Sequence, residues 1–222
     1  MISDFFEYTF LSTALLAIVL MSLVSGLLSP ILVSKRLAFM GEAIAHSTLL
    51  GLALGHGPLQ IIGPLGSGIT VTLVLALVLA WSMLKERLPS DTLIGLFLTV
   101  SMALGVIAHQ QFATGKSDLL GLLFGNILLL GQSDIIGLVG VLLVTVIVLF
   151  SLKRQWLAYI FDMAGARLAG VKVVPLHFFF FVLLTFFIVL AVKLAGVVLV
   201  NSLLLMPGAF ALSLGKNPRQ VM

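Results

Sequence analysis

Residues 173–192, VVPLHFFFFVLLTFFIVLAV, form a run of twenty residues without Asp, Glu, Lys or Arg. An α-helix needs about 20 mostly apolar residues to cross a hydrocarbon layer about 30 Å thick. Residues 92–115 and 135–152 also lack formal charge over similar lengths. Strands of a membrane barrel would alternate polar and apolar residues, which these runs do not. The three stretches therefore predict helices that cross a membrane.

The composition extends this interpretation to the whole chain. Of its 222 residues, 61% are hydrophobic and only 9% are charged, and the mean hydropathy is +1.27. Charged residues make up about a quarter of an ordinary soluble domain. The chain has no cysteine, which excludes disulfides and thiolate metal sites. We expect an all-α, polytopic transmembrane helix bundle, with residues 1–222 forming a single domain.

The hydrophobic pattern predicts about seven spans. A shorter apolar segment, 119–131, is too short to cross comfortably, and we interpret it as a re-entrant or surface-lying helix. The predicted spans are 10–33, 38–55, 68–84, 92–111, 135–152, 174–192 and 196–214.

The basic residues predict the orientation of the bundle. With 119–131 not crossing, ten of the 12 Lys and Arg residues fall on one side, which the positive-inside rule makes cytoplasmic. Because they stand singly or in pairs at the ends of spans, the net charge of +4 is a topology signal and not a nucleic-acid-binding pattern. The ten are Lys35, Arg36, Lys85, Arg87, Lys153, Arg154, Arg167, Lys172, Lys216 and Arg219.

An ionisable pair lies inside the second span. In KRLAFMGEAIAHSTLLG (35–51), Glu42 and His46 are four residues apart, so they project from the same face of a helix. Counting about 1.5 Å per residue from Arg36 places His46 about 15 Å along the axis, near the middle of the hydrocarbon layer. A carboxylate at such a depth is costly unless it faces a cavity, a partner or a cation.

The chemistry of this pair leaves two interpretations open. Imidazole and carboxylate are ligands suited to Zn²⁺, Mn²⁺ or Fe²⁺. One Glu and one His are fewer than the four ligands that zinc ordinarily takes, so the pair would form a transient site, completed in a homodimer or by residues elsewhere. Alternatively, Glu42 and His46 satisfy each other or neighbouring helices and only fix the packing.

Three further features have structural interpretations. Pro207 removes a backbone donor from the last span, so we expect that helix to kink or unwind there. His177, at the cytoplasmic start of its span, is expected to be interfacial. Asp134 is expected to cap the helix of residues 135–152.

The largest cytoplasmic loop, residues 153–173, contains FDMAGARLAGV (161–171). Asp162 near its start and Gly170 at its end are typical of a capped helix, here one that lies on the membrane surface. The pattern alone fits a plain connector as well as a docking surface for a partner.

Enzyme motifs are absent from the sequence. It contains no HExxH, no GxSxG and no Walker phosphate loop. We therefore expect a protein that is not an enzyme. If it moves a solute uphill, the energy comes from another subunit or from an ion gradient.

Four stretches in matching order resemble the membrane permeases of the zinc, manganese and iron ABC importer family. The first is the motif of residues 35–51, whose HSTLLG (46–51) is most similar to the zinc uptake branch. The others are SDTLIG (90–95), LFGNIL (123–128) and GVVLVNSLLLMPGA (196–209). The resemblance covers nearly the whole chain.

The resemblance implies a multi-pass homodimeric permease in the bacterial inner membrane. Such a permease receives its metal from a periplasmic or surface-tethered binding protein and is driven by two copies of a cytoplasmic ATPase. No cofactor is permanently bound, and the cargo is Zn²⁺ or Mn²⁺. The resemblance also implies that Glu42 and His46 are metal-pathway ligands, although the family usually has Asp at position 42. The ATPase-docking residues that it implies are Phe161, Asp162, Ala166 and Gly170.

Two departures from the family pattern are visible. The family usually has PAATA where this chain has PGAFA (207–211), which is expected to alter local helix packing. Family members also normally continue past the position of Met222 with further spans, so those spans are expected to be missing.

Two functions follow from the sequence. The first is the membrane subunit of an ABC importer that moves a divalent metal ion, zinc above others, with ATP hydrolysed by a separate subunit. The alternative is a stand-alone secondary transporter or channel that moves a cation on its own gradient. Dependence on an ATPase separates the two.

Overall fold

The computed structural model describes residues 9–85, 87–112, 125, 131–161 and 163–214. Every regular element in these ranges is an α-helix, as the composition predicts. In chain order the helices are α1 (Thr9–Ser34), α2 (Met40–Leu54), α3 (Gly63–Leu84), α4 (Ser90–Phe112), α5 (Gln132–Ser151), α6 (Lys153–Phe161), α7 (Met163–Leu168) and α8 (Val173–Leu214).

Helix α8 consists of two helices that meet at Gly196. Gly196 has φ 77° and ψ 165°, a non-helical conformation that suits glycine. We call the two parts α8a (173–195) and α8b (197–214). The prediction of two separate spans in this region is therefore confirmed, with the break at Gly196.

Contacts at the two ends of the bundle show that α8b returns along the path of α8a. Lys193, near the end of α8a, pairs with Asp134 at the start of α5. Gly208 in α8b instead bonds to Ser29, near the end of α1. That end of α1 lies beside Lys153, because Pro30 and Lys153 line one cavity.

Within the described ranges, seven apolar helical segments thus form the bundle, in agreement with the prediction. Four of them (α1, α3, α4 and α5) are each long and apolar enough to cross a membrane, and α8 provides two more. The seventh, α2, has only 15 residues and is about 22 Å long. Segment 119–131 lies outside the described residues except for Gly125 and Gly131, so its placement stays a prediction.

The core lies where α8 packs against α1, α2, α3 and α5. Its largest fully buried side chains include Phe180, Phe181 and Phe187 of α8a and Met21 and Leu28 of α1. In a bilayer the alternative environment is lipid, so this core is held mainly by close packing and not by exclusion of water.

Helix α3 begins five residues earlier than expected. The sequence predicts a span from residue 68, whereas the helix starts at Gly63 with Pro64 in its first turn. Proline suits this position because its fixed φ is helical and its missing N–H would have no intrahelical acceptor. Residues 63–67, which precede the predicted span, are therefore helical.

The helix continues through Pro207, so the expectation that it unwinds there is wrong, and a kink at Pro207 stays a prediction. Gly196 is the residue of α8 with non-helical backbone angles. Ser29 of α1 bonds to α8b on either side of the proline, since its Oγ accepts the Gly208 N–H at 2.7 Å and donates to the Leu205 carbonyl at 3.4 Å. A Cβ on Gly208 would lie 2.6 Å from the backbone carbonyl of Ser29. This close contact is a packing reason for glycine at position 208, where the family's PAATA has alanine.

An ion pair joins α5 to the end of α8a. Lys193 Nζ lies 2.6 Å from Asp134 Oδ1, and Asp134 Oδ2 accepts the Gly131 N–H at 3.1 Å. Helix α5 begins at Gln132, so Asp134 sits in its first turn. Asp134 caps the helix as predicted, but its pairing with Lys193 was not foreseen.

We expect Lys193→Met to destabilise the protein, because Asp134 is 3% exposed and would keep an unpaired charge. The loss should be about 1–3 kcal/mol, the cost of leaving a buried acceptor without its partner. Thermal unfolding in detergent measures it. Lys193→Met with Asp134→Asn should recover part of the loss, and a double variant less stable than the single one would contradict this account.

Candidate functional site

Helix α2 carries both residues of the predicted metal pair into the interior of the bundle. Twelve of its 15 residues are buried, and it packs against α3, α4 and α8. Glu42 lies in its first turn, where a carboxylate interacts favourably with the positive end of the helix dipole. His46 follows one turn later on the same face.

Glu42 and His46 do not satisfy each other directly. Nε2 of His46 lies 3.9 Å from Oε1 of Glu42, whereas hydrogen bonds between nitrogen and oxygen span about 2.7–3.2 Å. Two ligand atoms about 2.1 Å from a tetrahedral zinc ion lie about 3.4 Å apart. The observed separation of 3.9 Å is closer to this value than to a hydrogen-bond distance, and a small torsional change in either side chain would bring the two atoms to it.

The two side chains differ in their access to the surroundings. The His46 side chain is 10% exposed and that of Glu42 is 36% exposed. Nδ1 of His46 is buried and has no hydrogen-bond partner, which costs free energy in an apolar core. The pair therefore combines one unsatisfied nitrogen with one accessible carboxylate.

Three hydroxyl side chains around this part of α2 have structural partners. The Ser47 and Thr48 hydroxyls both donate to the Ile44 carbonyl, at 2.7 and 3.0 Å. Thr72 of α3 donates to Thr48 across the helix interface at 3.3 Å. Among the described residues, these bonds leave Glu42 and His46 as candidate ligands, with the buried, unsatisfied Oδ1 of Asn201 in α8b beside the start of α2.

Within the described residues, no cluster of three or more His, Cys, Asp or Glu side chains could hold a metal ion. The pair therefore supplies two ligands where zinc ordinarily takes about four. Any metal held here needs further donors from other groups or from another chain.

Glycines bring the neighbouring helices close to this pair. A Cβ on Gly105 of α4 would lie 3.8 Å from the His46 carbonyl oxygen, and one on Gly51 would lie 2.8 Å from the Cα of Gly68 in α3. The sequence analysis did not identify Gly105. The feature of the sequence that could have identified Gly105 is a stripe of small residues on α4, which is typical of close helix contacts in membranes. The stripe consists of Ser101, Gly105 and Ala108, all of which are buried.

The second predicted site, the docking loop, contains α6 and α7. Helix α7 ends as predicted at Gly170, which has φ +79°. The Val171 N–H bonds to the Ala166 carbonyl at 2.9 Å and the Gly170 N–H to that of Arg167 at 3.1 Å, the pattern of a Schellman cap. The prediction of a short helix ended by glycine is confirmed.

The four predicted docking residues lie in different environments. Ala166 is 3% exposed and packs inward, whereas Gly170 is exposed. Asp162 and the side chain of Phe161 lie outside the described residues. The apolar side chain that α7 presents to the surroundings is Leu168, which is 92% exposed.

His177 is not interfacial, and that expectation is wrong. It is 5% exposed, and both of its ring nitrogens have partners. Nδ1 lies 2.7 Å from the Tyr159 hydroxyl of α6 and Nε2 lies 3.1 Å from the Ala80 carbonyl of α3. Residues far apart in the sequence provide these partners, so the local pattern did not reveal them.

The sequence profile of the ABC 3 transport family matches residues 7–222. This chain belongs to the ABC 3 transport family. Family membership confirms the resemblance drawn from the four motifs. It makes the chain a multi-pass membrane permease subunit of a metal-transporting ABC importer, and not itself an enzyme.

Two relatives illustrate the range of metals in the ABC 3 transport family. The manganese transport system membrane protein MntC of Listeria monocytogenes is 32% identical over 92% of this chain and 72% of the relative. The high-affinity zinc uptake system membrane protein ZnuB of Haemophilus influenzae is 29% identical over 96% of this chain and 81% of the relative. Family membership therefore establishes metal transport and leaves the metal open.

A solved structure has the same fold. PsaBC from Streptococcus pneumoniae, in complex with Fab, superimposes with a TM-score of 0.81 at 28% identity. The match covers 100% of this chain and 80% of that chain. The helix arrangement described above is thus the arrangement of an ABC 3 family permease.

We expect Gly51→Ala to destabilise the protein, because the added methyl would meet the backbone of Gly68 and Ser67. Overpacking of this kind costs about 1–3 kcal/mol. Thermal unfolding in detergent measures the loss. Gly95→Ala in α4 is the matched control, since nothing lies within 4 Å of its Cβ. Equal midpoints for the two variants would contradict the packing described for α2 and α3.

Proposed function

We propose that this permease moves zinc into the cytoplasm along a pathway that includes Glu42 and His46. The observation that supports this most directly is the pair itself, a buried imidazole whose Nε2 lies 3.9 Å from an accessible carboxylate and whose Nδ1 is unsatisfied. In an apolar bundle such a pair is costly unless a cation visits it.

The donor atoms favour zinc as the cargo. A nitrogen donor beside a carboxylate oxygen is typical of zinc sites. Nitrogen and oxygen sites of most geometries bind Zn²⁺ more tightly than Mn²⁺, so selection of manganese would need a special geometry or a selective delivery protein. Manganese is therefore the competing cargo to be measured beside zinc.

Two copies of the chain would complete the site. One chain contributes two ligands, and a homodimer that placed two Glu42–His46 pairs together would contribute four, the number that zinc ordinarily takes. The 36% exposure of Glu42 leaves its carboxylate accessible to a second copy or to a pathway. Such a shared site would bind zinc only weakly when the two pairs are apart, which would allow the metal to be released.

A separate cytoplasmic ATPase would supply the energy. The sequence has no Walker phosphate loop, and the docking loop of residues 153–173 presents the exposed Leu168 on a capped helix. A binding protein on the outer face would deliver the metal, as the family resemblance implies.

The transport cycle then follows from differential binding. ATP binding to the partner favours one orientation of the pathway, and the pair binds metal differently in the two orientations. A metal bound with equal affinity in both orientations would not change the equilibrium between them. The geometry of the site must therefore change during the cycle. A pair that is not locked by a mutual hydrogen bond permits such a change.

We expect ATP-dependent uptake of radioactive zinc by proteoliposomes that contain this permease, its ATPase and its binding protein. His46→Ala and Glu42→Ala should each lower the uptake at least about tenfold, because a metal site loses about 10–100-fold when its supporting groups are removed. Parallel assays with radioactive manganese test the choice of cargo.

Thr48→Val is the matched control, since it removes a buried polar group of α2 two residues from His46 without removing a candidate ligand. Normal uptake by both site variants would show that the pair is structural. Uptake by the permease without its ATPase would instead support a secondary transporter or channel.

We expect Leu168→Glu to weaken binding of the ATPase, because it places a charge on the apolar tip of α7. Loss of an apolar contact at an interface centre costs about 2 kcal/mol or more, which is more than tenfold in affinity. Co-purification of the ATPase with the permease measures it. Leu88→Glu is the control, since Leu88 is an exposed leucine at another cytoplasmic turn. Equal retention of the ATPase by wild type and Leu168→Glu would exclude Leu168 from the interface.

A further inference from the structure

A buried aromatic cluster joins α6 to the membrane helices. Trp156 and Tyr159 of α6 pack edge-on against each other, and Trp156 also packs against Phe180 of α8a. Trp156, Tyr159 and Phe180 are at most 1% exposed. Helix α6 is therefore anchored by its own side chains and is not a loosely attached surface helix.

Polar atoms fix the orientation of Tyr159 within this cluster. A carbonyl only accepts hydrogen bonds, so the 3.1 Å contact requires His177 Nε2–H to donate to the Ala80 carbonyl. Nδ1 of His177 is then an acceptor, and the Tyr159 hydroxyl donates to it at 2.7 Å. Burial raises the pKa of this hydroxyl above its ordinary value of 10.0, which keeps it protonated.

The opposite side of Tyr159 contacts the turn between α1 and α2. Nζ of Lys35 lies 4.2 Å from the centroid of the Tyr159 ring, within the range of a cation–π interaction. One side chain of α6 therefore contacts α8a directly, α3 through His177, and the turn that leads to the metal-bearing helix.

That turn is short and strained. Arg36 has φ 58°, an uncommon conformation for a residue with a side chain. The Leu37 N–H bonds back to the Leu32 carbonyl at 2.9 Å, and the Met40 N–H bonds to Leu37 at 2.9 Å. Helix α2 starts at Met40, so Glu42 follows within one helical turn. Lys35 and Glu42 are thus joined by a short hydrogen-bonded segment.

We propose that Tyr159 is a positioning residue, which couples movement of the docking loop to the Glu42–His46 pair through its contact with Lys35. This inference rests on the proposed function, because it assumes that an ATPase displaces the loop of residues 153–173. When α6 moves, the ring of Tyr159 carries Lys35 with it, and the start of α2 follows. The hydrogen bond to His177 keeps the ring in the orientation that holds Lys35.

The test measures the number of zinc ions taken up per ATP hydrolysed by the reconstituted importer. Lys35→Met removes the cation and keeps the chain length, and Tyr159→Leu removes the ring. Tyr159→Phe keeps the ring and loses only the bond to His177. We expect the first two to lower the ratio about threefold or more, the scale on which single residues alter coupling between sites. Tyr159→Phe should lower it less.

Two control variants separate coupling from general damage. Lys35→Arg keeps a cation over the ring and should retain the wild-type ratio. Lys85→Met removes a similar contact, since Lys85 Nζ lies 3.3 Å from the centroid of the Trp81 ring at another cytoplasmic turn. It should also retain the wild-type ratio, because Trp81 belongs to α3 and not to α6.

A purely structural role would change other quantities. Lys35→Met should keep three other quantities within about twofold of wild type, which is below the effect expected on coupling. These are basal ATP hydrolysis, co-purification of the ATPase and zinc binding. A spin label at Phe39→Cys adds a direct readout, because the chain has no other cysteine and Phe39 is 61% exposed. Its spectrum should respond to ATP in wild type and lose that response in Tyr159→Leu.

Several outcomes would overturn the proposal. These are an unchanged ratio in both Lys35→Met and Tyr159→Leu, loss of the ATPase from either variant, or an equal fall in Lys85→Met. If the wild-type importer takes up zinc and both Lys35→Met and Tyr159→Leu have the wild-type ratio of zinc to ATP, only the coupling role is overturned. A wild-type complex without ATP-dependent metal uptake would overturn the proposed function and the coupling role with it.

Discussion

The close packing around α2 is the constraint on which the rest of the structure depends. This 15-residue helix is shorter than a hydrocarbon layer and almost fully buried. Its neighbours approach it through glycine, as at Gly51 and Gly105. On its α8b side, a Cβ on Gly41 would lie 2.9 Å from Asn201 Oδ1. Since lipid is as apolar as these side chains, such close contacts hold the bundle together where the hydrophobic effect does not.

Tight packing makes the polar groups of α2 informative. The hydroxyl hydrogens of Ser47, Thr48 and Thr72 are all donated to one another or to the backbone, so these side chains have a structural role in the bundle. His46 differs because its Nδ1 is unsatisfied, and Glu42 differs because its side chain is partly exposed. Both observations fit the proposed role of the pair as ligands for a passing cation.

The cytoplasmic end of the bundle shows how a surface helix can act on this buried pair. Tyr159 lies between His177 and Lys35, so α6 is joined to three parts of the membrane domain through one ring. The strained turn at Arg36 leads directly into α2.

The sequence by itself determined the membrane class, the helical spans, the position of Glu42 and His46 on one helix face, and the glycine that ends α7. Each follows from local periodicity or from the conformational preference of one residue. Tertiary structure alone decided the bonds of Ser29 to α8b beside Pro207, the pairing of Asp134 with Lys193 and the burial of His177. These contacts join residues between 18 and 179 positions apart. No local pattern encodes such a partner, because it depends on how whole helices pack.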